Sequence, residues 1–298
     1  MWYTFPENRT EQGMAMSRTK ERMPDSRLGY KHGLGQHFIY DDGLLSALVE
    51  SAGITKDDDV LEIGPGMGTL TKHLCAAAGH VTAVELDERL IPLLSAFMEQ
   101  ADNFTLVQGD ALTVNLPEVT RDLRKPFSVV ANIPYYITTP LITLLLSRQL
   151  PVRQLALMVQ REVADKLLSE PGEEGWGPLA VRCRYFAEPR LAMEVPASAF
   201  TPPPKVDSAF VVLPLRETPA VAVRSEADFF RVVNAAFSLP SKTLTTALMA
   251  PLQLDRSRAA ALTEAAGLPA MIRGEKLSPE DFARLADAYT AMKEAAAE

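Results

Sequence analysis

Residues 59–70 read DVLEIGPGMGTL. The apolar run through Val60, Leu61 and Ile63 predicts a short strand. It breaks off into Gly64, Gly66 and Gly68 before a helical pattern resumes at 69–78. Glycines between a strand and a helix allow a tight turn and let a ligand touch the backbone. The next apolar run, HVTAVEL at 80–86, brings Glu85 to its carboxyl end, where an acid can accept both hydroxyl protons of a ribose. The glycine spacing is G-x-G-x-G, not the dinucleotide G-x-G-x-x-G. Loop and acid together fit a nucleoside cofactor in general, and a nicotinamide oxidoreductase stays open at this point.

Outward from that loop, strand and helix alternate. A helical pattern spans 44–52 and another spans 87–99; FTLVQGD (104–110) is a third strand. FSVVAN (127–132) is a fourth strand with a helix at 139–148, and QLALMVQ (154–160) is a fifth with a helix at 161–169. This rhythm predicts an α/β fold, a largely parallel sheet covered by helices on both faces. LAMEVP (191–196) and SAFVVLPL (208–215) have no long helix between them and are expected to form an antiparallel edge. PGEEGWGP (171–178) reads as a flexible loop. After Thr218 the chain turns helical and alanine-rich, in EADFFRVVNAAF, KTLTTALMA, SRAAALTEAAG and SPEDFARLADAYTAM. The expected division is a disordered basic arm at 1–32, an α/β domain at 33–216 and a small all-helical domain at 217–298.

Of the 298 residues, 47% are apolar and 23% charged, the balance of a soluble globular protein. No apolar run approaches the ~18 residues of a membrane span, and the first residues lack the apolar core of a secretory signal. Two cysteines, Cys75 and Cys183, give neither a disulfide framework nor a zinc spacing. Both read as buried thiols, and a cytoplasmic location is expected. His32, His37, His73 and His80 form no ligand cluster, so no metal is expected. A net charge of −8 taken alone argues against a nucleic-acid partner. Phosphate affinity follows the local field, however. Residues 17–32 carry Arg18, Lys20, Arg22, Arg27 and Lys31 against Glu21 and Asp25, a basic arm on an acidic protein.

The third strand ends in Gly109-Asp110, and a carboxylate there can bind an adenine amino group. S-adenosyl-L-methionine needs such a set: glycines beside its amino-acid part, an acid for ribose, an acid or amide near adenine. NAD would instead want a helix N-terminus aimed at its pyrophosphate. The fourth strand ends in Asn132-Ile133-Pro134-Tyr135-Tyr136, where ligands of open α/β sheets bind. An exocyclic adenine amine is a poor nucleophile, because its lone pair is delocalised into the ring. Two fixed acceptors, the Asn132 side-chain oxygen and a main-chain carbonyl such as that of Ile133, can polarise it and point the lone pair at a methyl donor. Pro134 stiffens the turn that aims them. Tyr135 offers a flat face for the base, worth about 1–3 kcal/mol. Tyr136 has a packing role as its alternative.

Seven stretches together, GLGQHFIYDD, LEIGPGMGTLT, VTAVELD, QGDAL, VVANIPYYITTPL, LMVQREVADKLL and AFTPPPKVDSAFVVL, resemble the ribosomal RNA adenine N6,N6-dimethyltransferases. The resemblance runs from about Gly33 to Leu215 and resumes weakly at NAAFSLPSKTL. It implies a Rossmann-like class I methyltransferase sheet followed by a small helical domain. The FTPPPKVDSA block is more similar to the small-subunit enzyme, which dimethylates two adjacent adenines near the 3′ end of 16S rRNA. The implied site has His37 and Ile39 against the cofactor, Gly64 and Gly66 at its methionine part, Glu85 at the ribose and Asp110 at the adenine amine. Asn132 would lie between cofactor and target base, and Phe200 would wall the base slot opposite Tyr135. Two departures stand out: His37 replaces the commoner asparagine, and Leu239-Pro240-Ser241 replaces polar and basic residues before Lys242.

The implied partner is 16S rRNA within the small ribosomal subunit precursor, met by a monomer with no membrane and no metal. A target base must leave its stack to enter a closed slot. The arm residues Arg18, Lys20 and Arg22, with Arg161, Lys166, Arg182, Arg184 and Lys205, are expected to face RNA. Alternatives are a 23S rRNA enzyme of the erythromycin-resistance type, a non-enzymatic assembly factor, and a methyltransferase of DNA adenine or a protein amide.

Overall fold

The computed structural model describes residues 37–134, 137–147 and 150–297. In chain order the elements are β1 (Phe38–Ile39), α1 (Asp42–Ser51), β2 (Asp59–Ile63), α2 (Thr69–Ala77), β3 (His80–Glu85), α3 (Ile91–Phe97), β4 (Phe104–Gln108) and α4 (Leu116–Val119). They continue as β5 (Phe127–Asn132), α5 (Thr138–Leu145), β6 (Val152–Gln160), α6 (Arg161–Leu168), α7 (Pro178–Phe186), β7 (Arg190–Val195), β8 (Phe200–Thr201) and β9 (Ser208–Pro214). Four helices close the chain: α8 (Glu226–Ala236), α9 (Leu244–Leu252), α10 (Arg256–Ala265) and α11 (Pro279–Ala297).

Seven strands form one sheet in the order β4-β3-β2-β5-β6-β9-β7. The five from β4 to β6 are parallel, and β9 runs antiparallel to both β6 and β7. The expected α/β sheet with an antiparallel edge is therefore present. Side chains alternate between faces, as the strand period requires. Leu61, Ile63, Val129, Ala131, Leu155, Leu157, Val211 and Leu213 share one buried cluster; Val60, Val130, Ala156, Met158, Phe210 and Val212 belong to the other, with α1 and α2. Because both faces are covered, β2 is buried at all five positions and reads as a continuous apolar run broken only by its two acids.

The four C-terminal helices share the first cluster. Tyr185 and Phe186 of α7 meet Phe229 and Phe230 of α8 at ring-centroid distances of 4.7–5.7 Å. Aromatic pairs at such distances, one of them edge-to-face and one stacked, add about 0.5–1.5 kcal/mol each beyond the area they bury. The stretch 171–178, expected as a flexible loop, is a docking segment. Trp176 is buried and its Nε1–H donates to the Leu277 carbonyl at 3.0 Å, while the Gly172 N–H donates to the Glu275 carbonyl at 2.8 Å. The reason is local: a tryptophan set among glycines carries enough apolar area to anchor a loop whose backbone is otherwise unconstrained. The expected helix at 87–99 begins late, at Ile91, because Asp87 turns inward. Its carboxylate pairs with the Arg89 guanidinium at 2.6 Å, and its carbonyl accepts the Leu90 N–H at 2.9 Å.

Candidate active site

The order of the sheet reverses between β2 and β5, so connections from these neighbours leave to opposite sides and a crevice opens at their carboxyl ends. A cavity lies there, lined by His37, Phe38 and Ile39, by Glu62 to Gly66, by Glu85 and Leu86, by Gly109 to Ala111, and by Ala131 to Pro134. Five of the proposed contacts, Gly64, Gly66, Glu85, Asp110 and Asn132, thus come together from four strands, and His37 and Ile39 close over them from β1 and the residue before it.

Each wall has a local cause. Gly64 and Gly66 adopt φ of +72° and +59°, where a side chain is strained. A Cβ on Gly66 would stand 2.6 Å from the Phe38 ring, so the glycine is also what lets the β1 segment lie over the loop. Glu85 holds the loop from the neighbouring strand: Oε2 accepts the Gly66 N–H at 3.0 Å and Oε1 accepts the Asp87 N–H at 2.7 Å. Burial pushes the Glu85 carboxyl up from its ordinary range, and those two backbone donors pull it back. Each carboxylate oxygen keeps a second lone pair for an incoming hydroxyl. Asp110 is fixed by one oxygen, Oδ1, which accepts the Leu112 N–H at 2.9 Å.

Asn132 is the last residue of β5. Its Nδ2 donates to the His37 carbonyl at 2.9 Å, which fixes the amide plane and leaves Oδ1 as the acceptor. The Pro134 carbonyl is engaged in the turn, accepting the Ile137 N–H at 3.1 Å.

Not every expected residue is gathered here. Phe200 is 3% exposed and sits in the apolar cluster with Ile39, its pairing partner across the β1–β8 ladder; it is not on the cavity wall. Tyr135, Tyr136, Arg18, Lys20 and Arg22 lie outside the described residues. Lys205 is exposed on the segment after β8. Of the other cations expected to face RNA, two serve the fold. The Arg182 guanidinium lies 3.7 Å from the Phe230 ring centroid, and Arg184 donates to the Leu168 and Ser169 carbonyls and pairs with Glu170. Arg161 pairs with Asp165 and Glu194, and Lys166 with Glu162, all exposed. Cys75 and Cys183 are both buried and unbonded. Among the described residues no group of three or more His, Cys, Asp or Glu is placed to hold a metal, and no helix is long and apolar enough to cross a membrane.

Sequence reasoning passed over Glu62, Phe38 and Leu86. Glu62 is 1% exposed in the middle of β2, lines the cavity, and its Oε2 has no hydrogen-bond partner. Its signal was a lone acid inside an apolar strand. Burial, reinforced by the nearby Glu85 charge, pushes its carboxyl up to about 8. Between the ordinary 4.5 and about 8 the folded protein keeps a proton that the unfolded chain releases, so this group makes stability fall as pH rises through that window. Glu62→Gln is therefore expected to raise the melting temperature at pH 8 and to leave it unchanged at pH 4. A melting-temperature difference that is the same at both pH values would refute the buried neutral acid.

Glu85 and Asp110 line the cavity beside the neutral Glu62, without a lysine or arginine among the lining residues. Such a lining repels a diphosphate and favours a ligand with positive charge. The donor set therefore fits S-adenosyl-L-methionine, a cationic nucleoside, better than a dinucleotide.

A parallel sheet with one antiparallel strand, β9, inserted beside its edge strand β7, and with a glycine loop after β2 and an acid at the end of β3, defines a Rossmann-like methyltransferase fold, here with a helical C-terminal segment. Solved structures agree. A dimethyladenosine transferase from Plasmodium falciparum superposes with a TM-score of 0.70 at 26% identity, covering 84% of this chain and 96% of that one. The 23S rRNA methyltransferase ErmE gives 0.65 at 28% identity, covering 85% and 99%. The chain belongs to the ribosomal RNA adenine dimethylase family, whose sequence model matches residues 28–291. It is 41% identical to the ribosomal RNA small subunit methyltransferase A of Enterococcus faecalis, over 91% of this chain and 94% of that protein. To the protein of the same name from Bacillus pumilus it is 39% identical, again over 91% and 94%.

Proposed function

We propose that this enzyme uses S-adenosyl-L-methionine to dimethylate the N6 amines of two adjacent adenines near the 3′ end of 16S rRNA. The observation that carries the reading is the Asn132 amide, held by the His37 carbonyl at the mouth of an acidic, glycine-floored cavity. The small-subunit assignment is favoured over the 23S type by the names of the relatives at about 40% identity.

Gly64 and Gly66 would hold the methionine part of the cofactor, Glu85 its ribose hydroxyls and Asp110 its adenine amine. When bound, the cofactor supplies a methyl group made electrophilic by a sulfonium. The protein's own contribution is orientation and polarisation. Asn132 Oδ1 accepts one N6 hydrogen and the Ile133 carbonyl the other, drawing the nitrogen toward tetrahedral geometry and turning its lone pair toward the methyl donor. No general base is needed before transfer, since the proton leaves a nitrogen that has become cationic. Tyr135 stacks on the base, and Phe200, packed with Ile39, would join it as the second wall only if the β1 segment shifts from it. The second round needs one acceptor to give way to the first methyl.

RNA approaches through the basic arm and Lys205, with the helical segment from 217 onward as the second unit of the substrate surface. The enzyme acts as a cytoplasmic monomer on a small-subunit precursor. Reversing charge at Arg18, Lys20 and Arg22 is expected to weaken RNA binding and to flatten its dependence on salt, by about 0.7–0.9 in log–log slope per lost phosphate contact. An unchanged slope would remove the arm from the interface. The test of the function is labelled methyl transfer to unmodified 30S particles and, in parallel, to unmodified 50S particles. Label confined to 16S rRNA is expected; label in 23S rRNA would move the protein to the erythromycin-resistance type.

A further inference from the structure

His37 touches two parts of the molecule that are remote from it in sequence. Its main-chain carbonyl accepts Asn132 Nδ2 at 2.9 Å, across 95 residues. Its ring Nδ1 lies 2.7 Å from the Pro202 carbonyl, across 165 residues. Directly after it, Phe38 and Ile39 pair with Thr201 and Phe200 in the β1–β8 ladder, and the Phe38 ring covers Gly66. A carbonyl can only accept, so Nδ1 is the hydrogen-bearing nitrogen of the ring.

The ladder is two residues long on each side. So short a pairing cannot fix its own register or position, since isolated two-stranded pairings are marginal even when longer. The ring bond to Pro202 supplies what the ladder lacks. It pins the start of β1 to the segment that carries Lys205, and through the His37 carbonyl it fixes the plane of the Asn132 amide.

We propose that His37 is a positioning residue: one side chain ties the 200–207 segment to the amide acceptor, so that the acceptor keeps one geometry against the rest of the cavity. The inference rests on the reading of Asn132 as the acceptor of the target amine. It differs from a direct cofactor contact by His37, because a bracket acts on turnover and a contact acts on cofactor affinity. It also predicts that asparagine can stand in for histidine at this position. An asparagine Nδ2 falls near the place of a histidine Nδ1 and can donate to the same carbonyl, whereas a glutamine amide reaches one atom further.

The test compares His37→Ala, His37→Asn and His37→Gln in the full chain. A misplacement of the acceptor by about 1 Å costs on the order of a hundredfold in rate. His37→Ala is therefore expected to lose roughly that factor in kcat. Its dissociation constant for S-adenosyl-L-methionine should stay within about threefold, a split that marks loss of an interaction made in the transition state. His37→Asn should restore most of the rate and His37→Gln should not. A second readout needs neither RNA nor cofactor. In protein labelled with 15N at asparagine side chains, the Asn132 amide resonance should move in His37→Ala and return in His37→Asn. If His37→Ala does not fold, the asparagine and glutamine variants carry the same comparison. Loss of cofactor affinity in proportion to kcat/KM, or an Asn132 resonance indifferent to residue 37, would overturn the bracket. An inactive wild type with the resonance pattern intact would instead count against the proposed function.

Discussion

Asn132→Ala protein is expected to bind S-adenosyl-L-methionine much as the wild type does and to transfer methyl groups about 10²–10³-fold more slowly. The amide sits at the end of β5 with its nitrogen tied to the His37 carbonyl, so truncation removes one oriented acceptor and leaves the glycine loop and Glu85 in place. An acceptor that bonds more strongly as charge develops on N6 affects the transition state more than the ground state, so kcat falls while affinity persists. Single-turnover transfer at saturating cofactor, paired with calorimetric titration of the cofactor, separates the two quantities. Asn132→Asp refines the test. It keeps an acceptor oxygen but loses the donor to the His37 carbonyl and turns two acceptors toward each other, so it too should be slow. Wild-type turnover in Asn132→Ala would remove the amide from the chemistry.

Glu85→Ala is expected to do the opposite and abolish cofactor binding in the accessible concentration range. The carboxylate is the proposed acceptor of two ribose hydroxyls, and hydrogen bonds to a charged group are worth about 1.5–3 kcal/mol each. Losing both predicts a dissociation constant raised by at least about a hundredfold, at 1.4 kcal/mol per factor of ten. The same substitution strips the Gly66 and Asp87 N–H groups of their acceptor, which loosens the loop that the cofactor must meet. Glu85→Gln separates the effects: its amide oxygen can still hold one of the two N–H groups, and it should bind with intermediate strength. Affinity within threefold of wild type in Glu85→Ala would mean that the ribose is held elsewhere.

The parts of this molecule that were legible in the sequence are those encoded locally. Gly64, Gly66, Glu85, Asp110 and Asn132 each lie at a strand's last residue or within three residues after it, and a strand end is visible as an apolar run that stops. The four C-terminal helices, α8 to α11, were equally visible, because each carries its own apolar pattern. What was missed depends on partners far along the chain. Helix α7 buries Ala180, Val181, Cys183, Tyr185 and Phe186 between other elements, so it shows no one-sided stripe. The β1–β8 ladder is too short for an alternating pattern, and the two His37 bonds span residues that nothing in the local sequence connects. Arg182 and Arg184 read as candidate RNA contacts because they are cations. Only packing reveals that one lies over Phe230 and the other caps the end of α6. Glu62 shows a third limit: an acid in a buried strand is evident in the sequence, but the orphaned oxygen that makes it part of the cavity is not.

The central claim is that a fixed amide oxygen prepares an adenine N6 for two successive methyl transfers. It is tested most directly by digesting RNA from unmodified small subunits after incubation with the enzyme and labelled cofactor, and following the nucleosides over time. The account predicts N6-methyladenosine as a transient that gives way to N6,N6-dimethyladenosine, both absent with Asn132→Ala. Label on any other nucleoside, or dimethyladenosine formed at the wild-type rate without Asn132, would contradict it.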